Sequence, residues 1–217
     1  MEAEFWLERW GTGRTAWDQR AAHPVLVEQW HRHVADGAVF VPLCGKSVDM
    51  DWLAQRGHRV VGSELSPVAV AEFFADRGLS ADARRIGELT VHTAADFELW
   101  CGDFFDVASL ALDGVTAVYD RASLVALPTA MRRRYADHLC AIAPVDATIF
   151  LLAYEYDDGE MDGPPFSVTR DEVADLYGDV FELEVVVDDD VLARDGDLEA
   201  RGLTRLRETL TIMRRGS

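Results

Sequence analysis

The run Val39-Phe40-Val41-Pro42-Leu43-Cys44-Gly45-Lys46-Ser47 restricts the fold more than any other stretch of this chain. Three apolar, partly β-branched residues lead into Pro42 and Gly45, and an amphipathic run opens at Ser47. That pattern predicts a strand, a tight turn and a helix start. Glycine lets a turn backbone approach a ligand closely, and the leading N–H groups of the following helix point at the same spot. A second apolar strand, Arg59-Val60-Val61-Gly62-Ser63-Glu64, ends in a carboxylate 19 positions after Gly45. In doubly wound folds an acid at about that distance accepts hydrogen bonds from a ribose. Turn and acid together read as a site for a nucleoside-containing cofactor.

The rest of the chain supplies matching units. Aromatics at helical spacing (Phe5, Trp6, Trp10) dock a short N-terminal helix on the core. A second helix, about Pro24 to Val34, directs Val27, Trp30 and Val34 inward, with the proline in its first turn. Ser47 is expected to cap a helix holding Met50, Leu53 and Ala54, closed by Gly57. Ser66 and Pro67 open another helix that closes at Gly78. Residues 79–96 read as loop with at most a small hairpin. Further strands fall at Phe97–Cys101, Val115–Tyr119 and Ala147–Tyr154, with a helix from about Pro128 to Ala143. A last helix runs from about Thr169 to Tyr177, followed by β runs at Phe181–Val187 and Leu203–Met213. Five α/β units and a terminal hairpin predict one doubly wound, mostly parallel sheet with helices on both faces. Ligands in such sheets sit at the carboxyl ends of the strands, where Gly45, Glu64, Asp103 and Arg121 emerge.

Charge removes several partners. A net charge of −18 repels nucleic acid and anionic membranes. No apolar run approaches the roughly 20 residues of a membrane span, and the acidic start, Met1-Glu2-Ala3-Glu4, is unlike a signal peptide. The three cysteines, Cys44, Cys101 and Cys140, form no CxxC pair, so a reducing cytoplasm is expected, without disulfides. The histidines form no H-x-x-x-H pair, and the acids of 157–162 lack calcium-loop spacing, so no metal is expected. The acidic surface favours a monomer.

The turn also selects among cofactors. A nicotinamide site calls for G-x-G-x-x-G, which admits a diphosphate to the helix N-terminus. Here the turn holds one glycine, and no glycine precedes Gly45-Lys46-Ser47 at Walker spacing. A single glycine suits a nucleoside with an amino-acid tail and no diphosphate, namely S-adenosyl-L-methionine. A nicotinamide dehydrogenase and a non-catalytic S-adenosylmethionine-binding module remain the rival readings.

Longer motifs then carry a resemblance. Phe5-Trp6, Trp10, Gly13-Arg14-Thr15, Pro42-Leu43-Cys44-Gly45-Lys46-Ser47, Arg56-Gly57-His58, Val60–Glu64, Tyr119-Asp120-Arg121 through Leu127, and Gly163-Pro164-Pro165-Phe166 resemble the thiopurine S-methyltransferase family, bacterial type. The resemblance runs in order from about residue 4 to residue 213. It implies the class I S-adenosylmethionine-dependent methyltransferase fold, with an antiparallel strand at the C-terminus. One domain is implied: an N-terminal helical cap (1–36), a cofactor-binding core (37–155), and a substrate loop, helix and final strands (156–217). By the same resemblance Trp10 covers the cofactor, Leu43 and Gly45 touch it through the turn, and Glu64 takes the ribose hydroxyls. Asp103 and Phe104 line the adenine. Arg121, with Asp120 beside it as the second candidate catalytic residue, stands near the methyl-transfer centre and the cofactor's methionine end. Trp17 and Phe166 face the acceptor, and Trp17 replaces the family's usual phenylalanine. The family's further substrate arginine has no clear counterpart, because Val191–Arg201 aligns poorly.

The implied reaction is in-line displacement of a methyl group from a sulfonium by an aromatic or heterocyclic thiolate. Positioning supplies up to roughly 7–11 kcal/mol in such reactions, and acidic thiols need no strong base. Reduced selenium and tellurium species, halides and other small thiols suit the same geometry as acceptors. Arg121 is always protonated and suits an anionic acceptor or the cofactor carboxylate; its structural alternative is an ion pair with Asp120.

Overall fold

The computed structural model describes residues 3–15, 19–157, 159–194 and 196–216. They divide into two units, Met1–Val118 with Ile142–Pro144, and Tyr119–Ala141 with Val145–Ser217.

In the first unit, α1 (Ala3–Gly11) buries Trp10. Helix α2 (Pro24–His33) starts at the proline, whose missing N–H has no intrahelical acceptor to lose. Its buried face is Val25, Leu26 and Trp30, whereas Val27 is 42% exposed. Of the expected inward residues Trp30 is buried and Val34 half-buried, but Val27 is not; Leu26, four positions before Trp30, takes its place in the row.

β1 (Ala38–Val41) is buried throughout. Helix α3 (Asp49–Gln55) begins after Val48, without a side-chain cap. Ser47 does not cap it as expected; its Oγ accepts from the Asp49 N–H at 3.2 Å, inside the turn. β2 (Val60–Glu64) is likewise wholly buried. Helix α4 (Pro67–Asp76) has the expected cap, with Ser66 Oγ accepting from Ala69 N–H at 3.3 Å. Arg77 fastens these pieces: it donates to both Asp51 oxygens (2.6 and 2.5 Å), to Phe73 O and to Ser47 O.

Within 79–96, read as loop with a small hairpin, residues 82–94 form the hairpin, β3 (Asp82–Ile86) and β4 (Leu89–Ala94). β4 pairs antiparallel with β5 (Phe97–Cys101), which supplies the partner that the polar sequence of β3 conceals. β5 lies parallel to β2, β2 to β1, and β1 to β6 (Val115–Arg121). Two 3-10 turns, Phe104–Asp106 and Ser109–Leu112, bridge β5 and β6.

The second unit takes up the end of β6 and continues with α5 (Thr129–Ile142), β7 (Thr148–Glu155) and α6 (Arg170–Tyr177). Thr169 caps α6, accepting from Glu172 N–H at 3.1 Å. β8 (Phe181–Asp190), α7 (Gly196–Ala200) and β9 (Arg207–Arg215) complete the chain. β9 lies between β7 and β8, antiparallel to both. The last strand starts at Arg207, not Leu203, because Leu203 and Leu206 leave the ladder to pack with Tyr156, Val191 and Leu198 in a small separate core. Among the described residues no helix is long and apolar enough to cross a membrane.

Candidate active site

At the carboxyl end of β1 the chain turns through Leu43 (φ 45°) and Gly45 (φ 52°). A left-handed conformation is routine for glycine and strained for leucine, and such strain concentrates at ligand sites. Leu43 N–H donates to Ser63 Oγ at 3.3 Å, and Cys44 N–H to Ser63 O at 2.9 Å. The turn is thus tied to the end of β2.

Glu64 completes the tie. Its Oε2 accepts from Gly45 N–H at 2.9 Å and its Oε1 from Ser66 N–H at 2.7 Å. The residue is only 6% exposed. The 19-residue spacing therefore reflects a direct bond between the two ends of the motif. Each carboxylate oxygen has two lone pairs, so the acceptor capacity of the group exceeds these two bonds. Trp10 is buried and stands over the turn: a Cβ on Gly45 would lie 3.0 Å from its ring. Trp10, Gly45 and Glu64 are accordingly brought together, as the motifs require.

Asp103 and Phe104 follow β5, whose Gly102 N–H donates to Glu64 O at 2.9 Å. Asp103 is exposed, and its Oδ1 accepts from Phe105 N–H at 3.0 Å. Phe104 is buried, its ring stacked with Phe40 at 6.5 Å between centroids. Lys46, the single lysine, bridges to Glu72 (2.8 Å) and Asp76 (3.2 Å) on α4, and the Glu72 bond leads in raising its pKa. Cys44 is no nucleophile: burial, then the charge of Glu64, push its thiol well above the ordinary range.

In the second unit, β6 ends in Asp120 and Arg121, followed by Ala122 at φ 63°. Arg121 is partly exposed. Asp120 is fully buried, accepting from Tyr135 Oη–H at 2.7 Å and Leu124 N–H at 3.2 Å. Burial outweighs these bonds and lifts its pKa to about 6. Asp120 has no exposed surface, and its hydrogen bonds run to the turn after β6 and to α5. Phe166 is held nearby in this unit by its N–H, which donates to Val125 O at 2.6 Å. The Arg132 guanidinium stands 5.9 Å from its ring centroid. Trp17, expected to face the acceptor, lies outside the described residues.

Two supporting residues were not singled out from the sequence. Arg132 and Tyr135 occupy the buried stripe of α5 with Ala136 and Leu139. Arg132 is 2% exposed, donating to Leu127 O (2.9 Å) and to Glu172 (2.5 Å). The signal was an arginine and a tyrosine at i, i+3 on an otherwise apolar helix face, where buried polar groups need partners. Among the described residues no cluster of His, Cys, Asp and Glu is arranged to hold a metal ion.

Known proteins similar to this chain show its family. Residues 1–216 match the family described as Thiopurine S-methyltransferase (TPMT). The chain is similar to the thiopurine S-methyltransferases of Bordetella petrii (45% identity, 95% of each chain), Methylococcus capsulatus (44%; 96% of this chain, 95% of the other) and Pseudomonas fluorescens (42%, 99% of each). Among solved structures it resembles a SAM-dependent methyltransferase from Anabaena variabilis at TM-score 0.69 and 15% identity, over 99% and 95% of the two chains. It also resembles the magnesium protoporphyrin IX methyltransferase of Synechocystis with bound SAH, at TM-score 0.64 and 14% identity, over 98% and 100%. At those identities the structures speak for the fold, the class I methyltransferase arrangement of a mostly parallel sheet with an antiparallel C-terminal strand. Motifs, the Gly45–Glu64 clasp and relatives over nearly the full length converge on one assignment: the chain belongs to the thiopurine S-methyltransferase family.

Proposed function

We propose that this enzyme moves the methyl group of S-adenosyl-L-methionine to the thiolate sulfur of an aromatic or heterocyclic thiol such as a thiopurine. The observation that carries the reading is the Glu64 carboxylate, clasped by Gly45 N–H beneath Trp10. That donor set fits a nucleoside: an acid with acceptor capacity for a diol, and a one-glycine turn with no cradle for a diphosphate. When bound, the cofactor supplies an electrophilic methyl on a sulfonium, whose C–S electron pair leaves with the sulfur as the thiolate bonds to carbon. In this reading Glu64 takes the ribose hydroxyls, Leu43 and Gly45 form the floor, and Trp10 the cover. Asp103 accepts from the adenine amine beside Phe104. Arg121 holds an anionic acceptor or the cofactor carboxylate, with Phe166 and Trp17 against the acceptor. Asp120 orients the turn from behind. The division into cap, core and substrate segment, a monomeric state and a cytoplasmic location belong to the same proposal.

Soft, polarisable nucleophiles share this geometry, so metalloid methylation is the principal alternative for the acceptor. Incubation with methyl-labelled S-adenosylmethionine and a panel of heterocyclic thiols, selenite and tellurite tests both. Label in the thiols is the expected result; label only in selenium or tellurium products would replace the acceptor class. Binding of the cofactor without transfer to any acceptor would leave a binding module. Arg121→Ala is expected to lower turnover by far more than it lowers stability, and wild-type kcat/KM would remove its role.

A further inference from the structure

The Asp120 carboxylate joins the end of β6 to α5 and to the turn that follows the strand. Its Oδ2 accepts from Tyr135 Oη–H at 2.7 Å, and its Oδ1 from Leu124 N–H at 3.2 Å. Between them lie Arg121 and Ala122, the latter at a strained φ of 63°. Left-handed backbone at a non-glycine residue persists only where its surroundings overdetermine it. Asp120 and Tyr135 are both 0% exposed, so water does not compete for this bond. One turn earlier on α5, Arg132 donates to Leu127 O at 2.9 Å and closes the far end of the same segment. One helix face thus grips residues 120–127 at both ends.

We propose that Tyr135 is a positioning residue for methyl transfer, its hydroxyl acting through Asp120 to hold the turn that presents Arg121. The proposal rests on the reading of Arg121 given above. Asp120 accepts at both oxygens only when ionised; on protonation one oxygen becomes a donor, which either opposes the Leu124 N–H or reverses the bond with the Tyr135 hydroxyl, and both change the clasp. Three side chains face the carboxyl: Tyr135 from α5, Tyr177 from α6, and Ser123 from the turn itself. Both phenols are pushed upward by burial first and the Asp120 charge second, so they stay neutral while Asp120 titrates. Asp120 is the group in this nest that changes charge near pH 6.

The test is the pH dependence of kcat/KM with a heterocyclic thiol already ionised throughout pH 5–8. Wild-type enzyme is expected to lose activity below about pH 6, and a flat profile would overturn the proposal without any variant. Tyr135→Phe removes only the hydroxyl. It is expected to move the acid limb to higher pH, because the charged carboxylate loses a donor, and to raise the acceptor KM roughly three- to tenfold. The dissociation constant for S-adenosylmethionine, read by calorimetry, is expected to stay within about twofold. Asp120→Asn, which cannot ionise, is expected to abolish the limb. A Tyr135→Phe enzyme with lowered melting temperature but a wild-type profile and KM would assign Tyr135 to stability alone. Arg121→Ala, assayed in parallel, separates the two readings. Full activity there would sink the role of Arg121, whereas its loss together with an unshifted Tyr135→Phe profile would sink only the proposal for Tyr135.

Discussion

Leu43 and Ala122 each hold a positive φ that a glycine would adopt at little cost. The strain marks the two turns that carry the candidate residues, one after β1 and one after β6. Gly45 is the reverse case: at φ 52° a side chain is strained, and a Cβ would stand 3.0 Å from Trp10, a contact to which the indole would have to yield. Gly45→Ala is expected to lower unfolding free energy by about 1–3 kcal/mol in urea titrations. Glu64→Gln keeps the shape of the side chain but sets an amide nitrogen against the N–H of Gly45 or Ser66. It is expected to weaken S-adenosylmethionine binding by about 1.5–3 kcal/mol. Calorimetry returning the wild-type affinity would exclude the ribose contact.

Among the elements, those with local signals form where their residues indicate. Ser66 caps α4, Thr169 caps α6, and Pro24 opens α2. Ser66→Ala is expected to destabilise the protein by ~1 kcal/mol, measurable as a lower urea midpoint with unchanged slope. Elements without a clear pattern of their own were legible only in outline. β3 is exposed at every position and alternates poorly, so only its ladder with β4, and that of β4 with β5, makes it a strand. Nor did the sequence show that Val191, Leu198, Leu203 and Leu206 converge on Tyr156, about 40 residues upstream. The Ser47 cap failed because the turn itself claims the hydroxyl.

For the molecule as a whole, 39 acids against 21 lysines and arginines give a surface that repels itself at neutral pH. Asp120 adds a buried counterpart. Its folded pKa of about 6 lies above the ordinary 3.8. A carboxyl raised in this way contributes stability that is fully present below about pH 3.8 and is lost as pH rises through about 6. The difference corresponds to ~3 kcal/mol at most. Asp120→Asn lacks this titration but keeps the surface acids, so subtracting its profile removes their contribution. Wild-type stability relative to the variant is expected to rise as pH falls from 7 to 4.5 in urea titrations. A constant difference would contradict the burial-driven shift.

The amino-acid sequence by itself determined the strand–turn–helix at Val39–Ser47, the acid that answers it at Glu64 and most helix starts. These depend on backbone preferences and spacings contained within a few residues or one βαβ unit. Only the tertiary structure decided that Asp120 is enclosed, that Arg132 crosses to Glu172 forty residues away, and that Tyr135 reaches back to β6. Whether a polar side chain is buried, and which partner satisfies it, depends on chain segments that no local pattern encodes.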